Sequence, residues 1–234
     1  MQFYETNRQR LIINADDFGI SPRANRNILY LISLGKIDRV GMMVHGQFLA
    51  VELDTLLKSG VKLDVHLDIL HEFHDKRRAR SGALGRILEF GWKFLSGQIS
   101  PRKIKADWRK QILLFQKITG KNPDGLNSHE HVHFFPLFFR IILDLGEEFS
   151  IPYVRFGENT PKNFPSLVAK ILAVLRKIDR KKFKASRSVS SGSLISLDWL
   201  QDIDNFLDNL PTGTVEIACH PELAEDFVSI KKYF

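Results

Sequence analysis

The chain has 234 residues, 44% of them hydrophobic, with 18 Phe, a single Cys and a formal net charge of +7. That length allows one sizeable core and suits a single α/β barrel, for which about 200–250 residues is usual. Lone Cys219 excludes an intramolecular disulfide, no run approaches the roughly 18 apolar residues of a membrane span, and Met1 to Arg10 lacks the apolar run of a signal peptide. A single cytoplasmic domain over residues 1–234 is expected.

Leu11-Ile12-Ile13 reads as a first strand, running into Asn14-Ala15-Asp16-Asp17-Phe18-Gly19. Ser21 then has the form of an N-cap with Pro22 at the first helical position, and the helix runs to about Leu34 before Gly35. Val40 to His45 reads as a second strand and Leu49 to Lys58 as a helix. From Lys62 to Ile69 the chain alternates strictly. Leu63, Val65, Leu67 and Ile69 share one face, and Lys62, Asp64, His66 and Asp68 the other, which predicts a third strand. Residues 70–103 read as irregular, with a short helix over Leu84–Leu95 and loop histidines at His71 and His74. Lys105 to Thr119 reads as a helix, followed by an Asn122-Pro123-Asp124-Gly125 turn and a short strand Leu126–Ser128. A helix over Leu137–Phe149, a strand at Tyr153-Val154-Arg155 and a basic amphipathic helix over Ser166–Lys184 come next. That helix is expected to turn Leu167, Val168, Ile171, Leu172, Val174, Leu175 and Ile178 inward. A Ser/Gly loop at Ser190–Ser196, a helix over Asp198–Leu210 and a last strand Thr214–Ala218, ending at Cys219-His220-Pro221, complete the chain. Strands alternating with helices predict a parallel sheet or barrel. Asp16, Asp17, His66, His129 and His220 all fall late in or just after strands, which in a barrel is one C-terminal face.

The chemistry-bearing residues permit more than one reading. Asp16 and Asp17, adjacent at a strand end, point in different directions, so one could bind a metal while the other acts as a base. Helix capping is the plain alternative. His129, His131 and His133 share a face if extended, whereas His129 and His133 are neighbours on a helical turn. Imidazoles suit Zn and related ions, and crowding allows one or two of the three as ligands. His66 lies on the polar strand face with Asp64 and Asp68. His45 ends the second strand and could border the site, with a structural role as the plainer reading, and Cys219 reads as a small buried hydrophobe. His220, held extended by Pro221, is a candidate general acid. An Asp/His/His metal site with a separate carboxylate and imidazole describes amide or ester hydrolysis and names no substrate.

The segments Asn14-Ala15-Asp16-Asp17-Phe18-Gly19 with Ser21, Val65-His66-Leu67, Asn127-Ser128-His129-Glu130-His131-Val132-His133 with Pro136, Tyr153-Val154-Arg155 and Cys219-His220-Pro221 together resemble the YdjC-like carbohydrate deacetylases, the group that includes the chito-oligosaccharide deacetylases. The resemblance implies a distorted, incomplete (β/α) TIM-like barrel that hydrolyses the N-acetyl group of an amino sugar. It implies one divalent metal, Mg by family and with Zn, Mn or Co also suited to the ligands, held by Asp17, His66 and His129. It further implies Asp16 as the base, His220 as the acid, and His131, His133 and Arg155 at the substrate. The chain departs from the pattern in carrying Asn127 for the usual Asp and Asp64 for the usual Gly, and it ends soon after His220.

From Lys162 to Arg187 nine basic residues face one acid, Asp179, and Lys76, Arg77, Arg78 and Arg80 form a smaller cluster. Without a recognition motif this charge does not predict nucleic-acid binding. It raises peripheral membrane contact through 166–184, and with it a lipid-linked amino sugar as an alternative substrate. A sheet edge left bare by the short C-terminus would favour a homodimer. A catalytically inactive carbohydrate-binding protein is the remaining alternative.

Overall fold

Eight-residue β1 (Leu11–Phe18) lies in the middle of a parallel sheet because its side chains are buried on both faces. In the computed structural model, which describes residues 8–69, 100–158 and 167–234, the alternation of elements continues as α1 (Pro22–Ser33), β2 (Arg39–Met42), α2 (Leu53–Lys58), β3 (Lys62–Leu67), α3 (Pro101–Thr119), β4 (Gly125–Ser128), a 3-10 turn (His129–Phe134), α4 (Pro136–Glu148), α5 (Leu167–Ala185), β5 (Ser193–Ser196), α6 (Ile203–Asp208), β6 (Val215–Cys219) and α7 (Ala224–Tyr233). The six strands are ordered β4-β3-β2-β1-β6-β5, and their five pairings are all parallel. This is the incomplete α/β barrel that the sequence predicts.

The two sheet edges are joined by single bridges. Leu126 of β4 pairs with Val154, and Tyr153 pairs with Val189, four residues before β5. Tyr153–Arg155, expected as a strand, is therefore a two-residue link between the β4 edge and the segment that precedes β5. The expected loop at Ser190–Ser196 contains β5, because β6 supplies its backbone partners through the Leu194↔Glu216 and Ile195↔Ile217 register. The predicted irregular stretch, its Leu84–Leu95 helix, His71, His74 and the Lys76–Arg80 cluster lie outside the described residues, save 100–103, where α3 begins.

Local signals fixed several boundaries. The Ser21 hydroxyl accepts from Ala24 N at 3.0 Å and Pro22 opens α1, as capping chemistry predicts. Asn25, buried inside α1, accepts from Gly19 N at 2.7 Å and donates to the carbonyls of Phe48 and Val51, tying the turn after β1 to the segment after β2. The inward face of α5 differs from the expectation. Ala169, Leu172, Arg176, Asp179 and Phe183 are buried, while Leu167, Ile171, Val174 and Ile178 are exposed. Leu172 of the expected set is buried and Val168 and Leu175 pack partly against the core, but the helix is rotated so that the other four face outward. Phe183, stacked on Phe156 with ring centroids 4.5 Å apart, belongs to the face that the core selects. Among the described residues no helix is long and apolar enough to cross a membrane.

Candidate active site

The polar alternation noted on β3 turns toward the barrel interior, where it meets matching alternation on the neighbouring strands. Asn14 and Asp16 of β1, Arg39 of β2, Asp64 and His66 of β3, Asn127 of β4 and Glu216 of β6 are all buried. Two glycines make room for them. A Cβ on Gly41 would lie 2.8 Å from Asp16 Oδ1 and 3.1 Å from His66 Nδ1, and one on Gly125 would lie 2.6 Å from Asp64 Oδ1.

β1 ends in a register irregularity between Ala15 and Phe18, and Asp17 takes a left-handed backbone with φ of 70°. A non-glycine residue there stores of order 1–3 kcal/mol, which the surrounding contacts must hold. The twist separates the two acids. Asp16 accepts from both terminal nitrogens of Arg155, at 2.6 and 2.8 Å, whereas Asp17 Oδ1 lies 2.9 Å from His129 Nδ1 and 3.1 Å from His66 Nε2. Burial pushes Asp16 toward neutrality, but the Arg155 guanidinium outweighs it and holds the carboxyl well below the usual range. Burial likewise disfavours charge on Asp17 and His129. Their mutual attraction prevails, depressing Asp17 and pushing His129 up to about 10.

One ligand atom from each of Asp17, His66 and His129 lies within 4.8 Å of the other two. The residues fit a divalent cation. Asn127 Oδ1 accepts from His66 Nδ1 at 2.5 Å, which fixes the tautomer and turns the Nε2 lone pair toward Asp17. That Nε2 is buried without a hydrogen-bond partner. Lone pairs of an imidazole and a carboxylate brought this close call for a positive ion between them, and a neutral imidazole with a carboxylate is a donor set for Zn, Mn, Co or Mg. The amide at Asn127 thus does the orienting that the usual Asp would do, without a negative charge.

The three histidines of the His-x-His-x-His run diverge, because the 3-10 turn contains two left-handed residues, Glu130 (φ 52°) and His131 (φ 54°). His129 meets Asp17. His131 is half-buried beside Trp199 at a ring distance of 6.3 Å, its Nδ1 has no hydrogen-bond partner, and burial with the nearby Arg155 charge keeps it neutral. His133 is wholly buried. Its Nε2–H donates to the Arg155 carbonyl at 3.0 Å, its Nδ1 accepts from the Ser128 hydroxyl at 2.6 Å, and burial pushes its pKa down to about 3. It offers no free nitrogen to a substrate and ties the turn to the Arg155 backbone. Arg155, expected at the substrate, is also wholly buried, with Nε donating to Glu216 Oε1 at 2.8 Å as well as the clamp on Asp16.

His220 follows β6, one position beyond the Ala15↔Cys219 pair, and so beside Asp16. Its backbone N–H donates to Asp226 Oδ2 at 2.7 Å and its Nδ1 lies 3.8 Å from the same oxygen. Its side chain is 31% exposed, which leaves it open to solvent. A pocket of about 250 Å³ lies against His66, lined also by Met43, His45, Asp68 and Gln111. His45 thus borders the site. Cys219 is buried, as expected of a small hydrophobe.

The spacing did not reveal the interior network behind Asp16. Tyr153 Oη donates to Glu216 Oε2 at 2.6 Å, Asn14 Nδ2 donates to Glu216 Oε1 at 2.9 Å and to Asp64 Oδ2 at 3.1 Å, and Arg39 pairs with Asp64. Asp64, which replaces the usual Gly, is the partner of Arg39. The polar period of two was the available signal. It was visible on β3, but Asn14, Arg39 and Glu216 stand in strands too short or too apolar to display it.

An incomplete parallel barrel with an Asp/His/His set that could hold a metal ion at its C-terminal face defines the class of α/β protein. The family model described as YdjC-like protein matches residues 10–232, and the chain belongs to that family. Among solved structures it is similar to a protein from Enterococcus faecalis V583 named for cellobiose-phosphate cleavage, with 22% identity, a TM-score of 0.60 and coverage of 90% of this chain and 80% of that one. A structure from Toxoplasma gondii ME49 named as a deoxyribose-phosphate aldolase aligns with 10% identity over 99% of this chain and 96% of that one, at a TM-score of 0.38.

Proposed function

We propose that this protein is a metal-dependent hydrolase that removes the N-acetyl group of an amino sugar or oligosaccharide and releases acetate. The observation that carries the reading is the division of the adjacent acids: Asp17 faces two imidazoles while Asp16 is clamped separately by Arg155. Asp17, His66 and His129 would hold a divalent cation, which when bound polarises an amide carbonyl and acidifies water. Mg follows from the family resemblance, and the two imidazoles also suit Zn, Mn or Co.

The remaining steps belong to the chain's own groups. Asp16, kept ionised and aimed by Arg155, takes a proton from the attacking water as its oxygen bonds to the acetyl carbon. His220, with Asp226 beside its Nδ1, gives a proton to the amine nitrogen as the C–N bond breaks. Amine and acetic acid leave, the acid ionises to acetate, and the proton on Asp16 passes through solvent to restore His220. His131 borders the reacting groups as a neutral imidazole. Arg155 and His133 act through others, by orienting Asp16 and by bracing the turn that carries His129. The sugar class rests on the motif resemblance and the family.

The test is acetate release from N-acetylglucosamine oligomers by chelator-stripped protein with single metals restored. Turnover that needs a divalent ion is expected. Asp16→Asn should keep the ion but lose turnover by at least about 100-fold, while Asp17→Asn should lose both. Loss of the ion in Asp16→Asn, or acetate release by stripped protein, would refute these assignments.

A further inference from the structure

We propose that the outer face of α5 docks this protein onto an anionic lipid surface. Leu167, Ile171, Val174 and Ile178 are 66%, 37%, 59% and 55% exposed. At about 100° per residue these four fall within an arc of about 60°. Lys170, Lys177, Lys181 and Lys184, all exposed, fall in the adjoining arc and form a parallel row. The opposite side of the helix, with Leu172, Asp179 and Phe183, is buried in the protein. α5 therefore has two apolar sides, one serving the core and one facing outward beside a line of ammonium groups. Over its 19 residues it is roughly 28 Å long.

Charge decides the occupant. The sole acid of α5, Asp179, is on the buried side, so a second copy meeting this stripe through its own α5 would bring lysines to lysines with no acid to pair them. A leaflet rich in anionic headgroups supplies phosphate to the lysine row and acyl-chain boundary to the four apolar side chains, which is how an amphipathic surface helix binds. The row position matters as much as the charge count. It sets the ammonium groups at headgroup height when the stripe is inserted.

The experiment is co-sedimentation of the full chain with extruded vesicles of phosphatidylcholine alone or with one-third phosphatidylglycerol. Pelleting with the anionic vesicles at low salt and none with phosphatidylcholine is expected. The triple variant Lys170→Gln/Lys177→Gln/Lys181→Gln should bind on the order of 100-fold more weakly, at about fivefold per lysine. Val174→Ser/Ile178→Ser should bind about tenfold more weakly. All five substitutions are at exposed positions on α5, and unchanged circular dichroism and melting confirm that each variant is folded. The proposal is overturned if the wild-type chain stays in the supernatant with anionic vesicles, or if its binding is indifferent to both variants. It is also overturned if sedimentation equilibrium reveals a dimer that Val174→Ser/Ile178→Ser dissociates.

Discussion

Arg155→Met removes a guanidinium that makes three hydrogen bonds of 2.6–2.8 Å to two carboxylates, with Arg155, Asp16 and Glu216 all at most 1% exposed. Methionine fills most of the volume, so the expected cost is electrostatic: about 3–5 kcal/mol for breaking a buried pair by removing one partner. For a domain of this size that lowers the melting temperature by about 6–20 °C. The pH dependence separates this cost from lost packing. In the wild type, Arg155 depresses Asp16, so the stabilisation is present above the unfolded carboxyl value of about 4 and fades as pH falls below it. In the variant, burial acts on Asp16 without that guanidinium and raises its pKa in the folded state, so the variant loses stability as pH rises from about 4 toward the raised value. The gap between the two proteins should therefore widen upward from about pH 4, by at most about 1.4 kcal/mol per pH unit for each carboxyl, to its plateau. Urea denaturation in the presence of chelator, followed by tryptophan fluorescence from pH 4 to 8, measures it. A gap that is constant with pH, or below about 1 kcal/mol throughout, would refute the claim that Arg155 acts as the counter-charge of Asp16.

Two further outcomes follow from the same site. Because Asn127 fixes the His66 tautomer, Asn127→Leu should weaken divalent-ion binding about 10–100-fold by competition calorimetry, and Asn127→Asp should bind at least as tightly as the wild type. Because His133 is buried neutral with its pKa pushed down to about 3, its contribution is complete above the unfolded histidine value of about 6.5 and is lost as pH falls toward 3. Relative to His133→Gln, the wild type should lose stability by up to about 1.4 kcal/mol per pH unit between about pH 6 and 4 in chelator. Equal pH profiles would show that the histidine is not held neutral.

Local chemistry on the sequence determined much of this protein. Ser21 and Pro22 set the start of α1, strict alternation identified β3, and alternating strands and helices required a parallel sheet with its reactive residues at one face. The motifs around Asp16, His66, His129 and His220 point by themselves to a single site. Position relative to distant strands lay beyond the sequence. It could not show that the polar face of β3 looks into the barrel, because whether a strand face meets solvent or interior depends on how the sheet curls. It could not rank the three histidines of the run, since two left-handed residues aim them apart. The exposed stripe on α5 has the same origin: apolar content marks a side chain as able to be buried, but the packing of Phe183 and Leu172 against the barrel chose which apolar side went in. The adjacent acids are the sharpest case. Sequence supplies both carboxylates, and only the twist at Asp17 with the buried Arg155 gives them different partners.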